Sequence, residues 1–471
     1  MRRLRQLAER TPPSRERYAD MLRALAITMV VIGHWAITVI GHDQSGRPNG
    51  HSALGDLPWA WPITWVAQVM PVFFLVGGYA NAASLTAWRS RGGDATGWLI
   101  DRSSRLIRPT TALLVILAIG AAVARLRGID ATEIRTVVWF ATIPLWFLVA
   151  YLVMVPLAPA MYALHRRVGL VVPLVLLGLV ALGDVGRILG PAGLATGNYL
   201  FGWLAVHQLG FAWYDARAPS PAEPGRGSAD RPGLRRRRLP TSRRAGAVLL
   251  LVGLVALVLL TRVGPYPVAM LNVPGERLNN TAPPSVALLA AATAQLGLIL
   301  LLQNPARRWL RRSGPWQAVI AVNAVVLTVF LWHLTAAVLL VGLLDTLGVL
   351  PTPRVGSAAW WAWRIPWLLA LAVVLAALVG VFGPIEARTR RHAAASTGGP
   401  VRTALVAIGY AGPVLGLLWN SLTPKSAAEP LGLPAPALAA YLAGAALLRL
   451  LRSGWGSRGS PHRDAGRASG S

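Results

Sequence analysis

The stretch LRALAITMVVIGHWAITVI, residues 22–40, decides the fold class. It is a nearly unbroken apolar run of about 20 residues, the length that a helix needs to cross the hydrocarbon core of a bilayer. Further runs of the same character lie near residues 62–86, 107–124, 142–162, 168–184, 196–213, 245–262, 284–302, 317–343, 361–383, 400–419 and 433–451. The sequence therefore predicts an all-α protein, a polytopic bundle of transmembrane helices.

The composition favours the same class. Of the 471 residues, 54% are hydrophobic and 14% are charged, whereas soluble domains average about 25% charged residues. The 18 acidic and 46 basic side chains are too few to cover a soluble protein of this length. Because the chain has no cysteine, disulfides, thiolate metal sites and an acyl group carried on a thiol are excluded.

The basic residues indicate the orientation of the spans. If the N-terminal tail and every second connection face the cytoplasm, 35 of the 46 bases lie on that side and 10 on the other, with Arg23 at the mouth of the first span. This asymmetry predicts a multi-pass protein of the plasma membrane with both termini cytoplasmic. The net charge of +28 is spread over separate connections, so we expect the lipid bilayer, and no nucleic acid, as a partner.

Changes in composition divide the chain into segments. The linker between the two halves is rich in Pro, Gly, Ser and Arg, which is typical of flexible segments. We expect a cytoplasmic N-terminal tail (1–19), a first six-helix half (20–213), a flexible basic cytoplasmic linker (214–244), a second half (245–391), two further spans (392–451) and a disordered tail (452–471).

Polar residues inside a span are costly in a bilayer and are therefore candidates for function. Arg23 and His34 are eleven residues apart, which places them on one face of a helix with about 16 Å between them along its axis. Asp20 is close enough on the same helix to orient the Arg23 guanidinium. The stripe predicts a lined path into the membrane. In the alternative interpretation, Arg23 is an anchor at the membrane surface and His34 is a hydrogen-bonded core residue.

Other spans add candidates. Arg102, Arg105 and Arg108 recur every three residues, and guanidinium groups bind phosphate oxygens in bidentate fashion, although anchoring to lipid headgroups is an alternative. No phosphate-binding glycine loop and no metal-ligand motif occurs, so we expect no metal and no bound cofactor. Residues that could support the site or line a pore, but that packing alone also explains, are Phe74, Gly78, Trp146, Tyr151, His207 and His333.

Six segments of the sequence stand out: RYADMLRALAITMVVIGHW (17–35), FFLVGG (73–78), RSSRLIR (102–108), LWFLVAYL (145–152), GWLAVHQLGFAW (202–213) and VFLWHL (329–334). Together, these segments resemble the acyltransferase 3 family of integral membrane proteins. The resemblance spans about residues 17–391, and it implies a ten-span acyltransferase-like core with about two extra C-terminal spans. The family commonly has Ser at the position of Gly77, so no hydroxyl at that position takes part in the chemistry of this chain.

The resemblance implies an O-acyltransferase that moves an acyl group from cytoplasmic acyl-CoA to a hydroxyl of an envelope saccharide, glycolipid or related acceptor. Acyl-CoA is then a co-substrate and not a bound cofactor. His34 would be the general base, and the donor phosphates would be held by Arg23, Arg102, Arg105 and Arg108. The alternative is a transporter or flippase for a glycan or lipid, which would use the same stripe without chemistry.

Overall fold

The computed structural model describes residues 15–42, 46, 48–190, 192–217, 239–387 and 399–453. Most of the predicted tail, linker and C-terminal segment therefore lies outside the described residues. A single helical turn, Thr64–Ala67, precedes α2. The longer helices are α1 Arg17–Ile37, α2 Met70–Arg89, α3 Ala95–Leu126, α4 Ala131–Thr142, α5 Leu145–Val168, α6 Val171–Leu189, α7 Asn198–Asp215, α8 Arg243–Arg262, α9 Val286–Trp309, α10 Ser313–Ala324, α11 Val326–Thr346, α12 Ala358–Ala387, α13 Pro400–Leu422 and α14 Ala435–Arg452.

The predicted fold class is confirmed. Within the described ranges, 11 helical segments are long and apolar enough to cross a membrane. The sheet in this part of the chain is one antiparallel hairpin, in which β1 (Thr38–His42) pairs with β2 (Pro48–Ser52). The protein is an all-α, multi-pass membrane protein. Since α1 carries Arg23 toward one end of the bundle and His34 toward the other, we name these ends the Arg23 end and the His34 end.

The predicted span over residues 317–343 is two helices. The chain leaves the helical conformation at Val325, which separates α10 from α11. The Glu386 carboxylate, from the end of α12, accepts hydrogen bonds from the backbone N–H groups of Leu327 (3.1 Å) and Thr328 (2.7 Å). An acidic side chain at a helix N-terminus satisfies N–H groups that have no partner within the helix. Glu386 therefore stabilises the start of α11.

The predicted span over residues 196–213 forms α7, but α7 is not among the 11 apolar segments. His207 and Gln208 lower its apolar character, and both side chains are fully buried. Most of α7 is buried against other helices. Protein therefore surrounds both polar side chains. On a helix that faced lipid, they would be exposed to hydrocarbon.

Glycines allow the backbones of α2 and α7 to touch. A Cβ at Gly78 would lie 2.0 Å from the carbonyl oxygen of His207, and a Cβ at Gly210 would lie 2.1 Å from that of Leu75. Close approach through small residues is a main source of helix association in lipid. Glycine contacts of the same kind join α8 to α9 and α13 to α14. A larger residue at position 78 or 210 would push α2 and α7 apart.

The helices α13 and α14 form a C-terminal hairpin that is attached to the core at both ends. At the His34 end, the fully buried Arg135, from α4, donates five hydrogen bonds to the last turn of α13 and to the connection that follows it. At the Arg23 end, the hydroxyls of Thr96 and Thr403 lie 3.3 Å apart. The acceptors of the Arg135 hydrogen bonds are Asn420 Oδ1 and the carbonyls of Asn420, Thr423, Pro424 and Gly432.

Candidate active site

Two histidines from different helices meet inside the bundle. Nδ1 of His34, on α1, lies 2.8 Å from Nε2 of His333, on α11. The two rings are nearly parallel, with an interplanar angle of 9°. His333 is fully buried, whereas His34 is only partly buried. The Trp35 indole donates to the backbone carbonyl of His333 at 2.9 Å, which holds α1 against α11 at this level.

The hydrogen-bond acceptors around this pair determine its tautomers. Nδ1 of His333 lies 2.5 Å from the carbonyl oxygen of Phe330, so this nitrogen carries the hydrogen. Nε2 of His333 is then an acceptor, because a neutral imidazole has one donor and one acceptor nitrogen. His34 must therefore donate through its Nδ1, and its own Nε2 carries no hydrogen. This arrangement makes Nε2 of His34 a base whose direction is set by a second histidine.

Arg23 lies on α1 toward the opposite end of the bundle and is held by two side chains. Its guanidinium donates to Asp20 Oδ1 at 2.8 Å and to Asn323 Oδ1 at 2.6 Å. The Asn323 amide group donates to the backbone carbonyls of Asp20 and Val319, both at 2.9 Å, so its oxygen is turned toward Arg23. The guanidinium of Arg102 is close enough to that of Arg23 for the two positive charges to repel each other. The two guanidinium groups therefore belong to one positively charged region.

A buried chain of polar groups begins at Arg102. Its guanidinium donates to the Tyr151 hydroxyl at 2.8 Å, which lies 3.4 Å from Asn81 Oδ1. Nδ2 of Asn81 in turn lies 3.1 Å from Nε2 of His207. Arg102 forms no ion pair among the described residues. The hydrogen-bond partner of Arg102 is therefore a hydroxyl and not a carboxylate, and a guanidinium with such a partner suits an anionic group with several oxygens.

Arg105 and Arg108, the other two arginines of the predicted cluster, have surroundings different from those of Arg102. Arg105 donates to Asp101 Oδ2 at 2.7 Å, and Arg452 of α14 lies 4.0 Å from the second oxygen of Asp101. Arg108 is exposed on the surface of the bundle. The three arginines that the sequence placed in one cluster thus lie in different surroundings, and Arg102 is the one that joins Tyr151.

An aromatic cluster lies between the histidine pair and Tyr151. Phe147 contacts both Tyr151 and Phe330, with ring centroids 6.1 and 5.4 Å apart. Phe74 stacks on Trp203 at 4.5 Å, and Trp146 lies 6.2 Å from the same indole. Phe74 and Trp146 therefore pack within this cluster and support the polar groups at either end of it.

Gly77 makes room for Tyr151. A Cβ at position 77 would lie 2.9 Å from Cε2 of the Tyr151 ring. A serine at this position would require the ring, and with it the hydroxyl that Arg102 contacts, to shift. The absence of a side chain at Gly77 therefore allows the Tyr151 ring to adopt its position in this chain.

Two polar groups of the site, the Asn323 amide and the Phe330 carbonyl, were not among the candidates from the sequence. Asn323 is a polar residue inside an apolar run, so the composition carried a signal. Phe330 contributes only its backbone carbonyl, which no residue type reveals. Within the described part of the chain, no group of three or more His, Cys, Asp or Glu residues could hold a metal ion.

Residues 16–386 match the family model described as an acyltransferase domain, that of acyltransferase 3. The match covers α1 to α12 and all the residues of the site, and it ends before α13. No curated protein and no solved structure matches the chain. Since the match spans most of its length, the chain belongs to the acyltransferase 3 family of membrane acyltransferases.

Proposed function

We propose that this acyltransferase transfers an acetyl or other short acyl group from cytoplasmic acyl-CoA to a hydroxyl of an envelope saccharide, glycolipid or related acceptor. The observation that carries the proposal is the hydrogen-bonded pair of His34 and His333. It provides an oriented base on the same helix as Arg23, about 16 Å away along the axis. Acyl-CoA combines phosphates with a thioester, so it needs a cationic group such as Arg23 for the phosphates and a base such as His34 near the thioester.

The donor phosphates would bind at the Arg23 end. Arg23 keeps 28% of its side chain exposed. The partner of Arg102 is a hydroxyl, which, unlike a carboxylate, does not neutralise the positive charge. Guanidinium groups bind phosphate oxygens through two parallel hydrogen bonds. With the phosphates held there, the extended pantetheine arm would bring the thioester toward His34.

The reaction would then proceed by general base catalysis. Nε2 of His34 accepts the proton of the acceptor hydroxyl while the hydroxyl oxygen attacks the thioester carbonyl carbon. The new C–O bond forms, the C–S bond breaks, and the CoA sulfur leaves as a thiolate that takes the proton from His34. His333 stabilises the transient imidazolium through the hydrogen bond from Nδ1 of His34. General base catalysis of this kind contributes a factor of about 10²–10⁴.

The proposal includes an orientation in the plasma membrane. The Arg23 end would face the cytoplasm, with both termini on that side, because the positive-inside rule favours bases there. Arg217 and Arg307 meet at this end, where both pair with Glu16. The donor would therefore enter from the cytoplasm, and the acceptor from the His34 end.

The test is turnover by the purified full chain in detergent or liposomes. With acetyl-CoA and a mixture of envelope glycans and lipids, we expect CoA release that depends on the acceptor. Mass spectrometry of envelope glycans and lipids from cells with and without the protein should show acyl groups that depend on it, and this comparison identifies the acceptor. If the protein moves a glycan or lipid across liposomes without releasing CoA, the transporter alternative is correct.

A further inference from the structure

The helix α5 contains a proline at position 156, in its interior. Proline has no backbone N–H, so the carbonyl four residues earlier, that of Leu152, loses its usual helical partner. Leu152 is buried, with 1% of its surface exposed. A buried carbonyl without a hydrogen bond is costly, particularly within a membrane. The Leu152 carbonyl therefore needs a donor from elsewhere.

Tyr410, from α13, provides this donor. Its hydroxyl lies 2.7 Å from the carbonyl oxygen of Leu152, and the contact is buried. Leu152 directly follows Tyr151, whose hydroxyl accepts the hydrogen bond from Arg102. Tyr410 is also close enough to interact electrostatically with both Tyr151 and Arg102. The hydroxyl thus fixes α5 next to the residue that holds Arg102.

The position of Tyr410 is itself fixed, although it lies outside the segment that matches the family, residues 16–386. The C-terminal hairpin is attached to α4 through Arg135 and to α3 through the contact of Thr96 with Thr403. Its anchors lie at both ends, with Tyr410 between them. A segment beyond the family domain therefore reaches the polar chain of the site.

We propose that the C-terminal hairpin is part of the donor site. Through Tyr410 it holds α5 at the Leu152 carbonyl, which Pro156 leaves without its helical partner, and in this way it positions Tyr151 and Arg102 for the phosphates of acyl-CoA. Tyr410 is a positioning residue, since it acts through Leu152 and Tyr151. The inference rests on the proposed function, because the donor is taken to be acyl-CoA.

The first measurement is the KM for acetyl-CoA of Tyr410→Phe, which removes only the hydroxyl. We expect the KM to rise about fivefold, the effect of one net hydrogen bond, with kcat nearly unchanged. The matched control is Tyr441→Phe, also on the hairpin. The Tyr441 hydroxyl donates to the carbonyl of Ile107 at 3.0 Å. This carbonyl does not depend on Tyr441, because the residue four positions later, Thr111, has a backbone N–H that a proline would lack. The control should leave the KM unchanged.

A second substitution tests whether the Tyr410 hydroxyl matters because Pro156 has no backbone N–H. Pro156→Ala restores the backbone N–H that can bond Leu152, and the Pro156 side chain is exposed, so its loss opens no cavity. In the Pro156→Ala background, Tyr410→Phe should therefore no longer raise the KM. If the increase persists in that background, or if Tyr441→Phe raises the KM equally, the inference is wrong. Should Tyr410→Phe alone fail to accumulate, the double variant is expected to accumulate.

Direct binding of CoA to the purified full chain separates the two proposals. If the wild-type protein neither binds CoA nor turns over acetyl-CoA, the proposed function is wrong. If the wild-type protein binds CoA and Tyr410→Phe binds it equally well, the inference alone is wrong. Weaker binding by Tyr410→Phe, restored by Pro156→Ala, supports both.

Discussion

Nε2 of His333 accepts the hydrogen that Nδ1 of His34 carries, over a distance of 2.8 Å. The carbonyl of Phe330 sets this direction, because it accepts the hydrogen bond from the single N–H group of the neutral His333 ring. The base and the residue that orients it are 299 positions apart in the chain. The contact between α1 and α11 is therefore a condition for chemistry as well as for packing.

We expect His34→Gln to lower kcat by a factor of about 10²–10⁴, because an amide cannot take a proton near neutral pH. The donor-binding arginines are unchanged, so the affinity for CoA should stay the same. Turnover and CoA binding of the purified variant check this. His51→Gln, an exposed histidine on β2, is the control. Near wild-type turnover by His34→Gln would make His34 a structural residue.

We expect His333→Leu to lower kcat by about 10- to 100-fold, since partners that orient a functional histidine commonly have effects of this size. His333→Gln should retain more activity, because its amide oxygen can still accept from His34. The KM for acetyl-CoA should change little in either variant. Equal losses in both variants would show that His333 acts through packing and not as an acceptor.

We expect Arg102→Met to raise the KM for acetyl-CoA by at least tenfold with a smaller change in kcat. An interaction that is equal in the ground state and the transition state contributes to binding and not to the chemical step. Arg105→Met is the matched comparison. Because Arg105 pairs with Asp101, its removal should raise the KM much less. A larger effect at position 105 would reassign the phosphate site.

We expect Arg135→Met to lower the free energy of unfolding by about 3 kcal/mol or more, because several buried acceptors lose a charged donor. Thermal unfolding of the protein in detergent measures the change. Arg125→Met is the control, since the Arg125 side chain is exposed and donates only to the carbonyl of Ile129. Equal stability of the two variants would mean that the hairpin connection does not depend on Arg135.

We expect cysteines at the two ends of the bundle to be labelled from opposite sides of the membrane. The chain has no cysteine, so a single substitution gives an unambiguous signal. Asn49→Cys, on β2 at the His34 end, should react with an impermeant maleimide on intact cells. Ser453→Cys, after α14, should react only after permeabilisation. The reverse result would overturn the proposed orientation.

The apolar runs of the sequence predict the spans well, because burial in lipid requires about 20 apolar residues wherever a helix crosses. The two departures depend on distant partners. The break at Val325 is stabilised by Glu386, which lies on α12. The polar character of α7 is tolerated because neighbouring helices bury His207 and Gln208. Neither partner can be identified from the local pattern.

The candidate site likewise has a part that the sequence predicts and a part that depends on the packing of distant segments. Asp20, Arg23 and His34 share one helix, so helical periodicity alone relates them. The pairing of His34 with His333 needs the packing of two helices, and from the sequence each histidine is only a separate candidate. Arg102 and Arg105 have the same side chain, and what distinguishes them is that Asp101 neutralises one of the two.

The glycine contacts also bear on the order in which the protein assembles during synthesis. The pairs α8–α9 and α13–α14 join helices that are consecutive in the chain, so each can pack as soon as its second helix has entered the membrane. The contact between Gly78 and the backbone at His207 is different, because α2 must wait until α3 to α6 have been translated. Until α7 arrives, the glycine face of α2 lies open to lipid. A nascent chain that stops before α7 would therefore present this face to membrane chaperones and proteases.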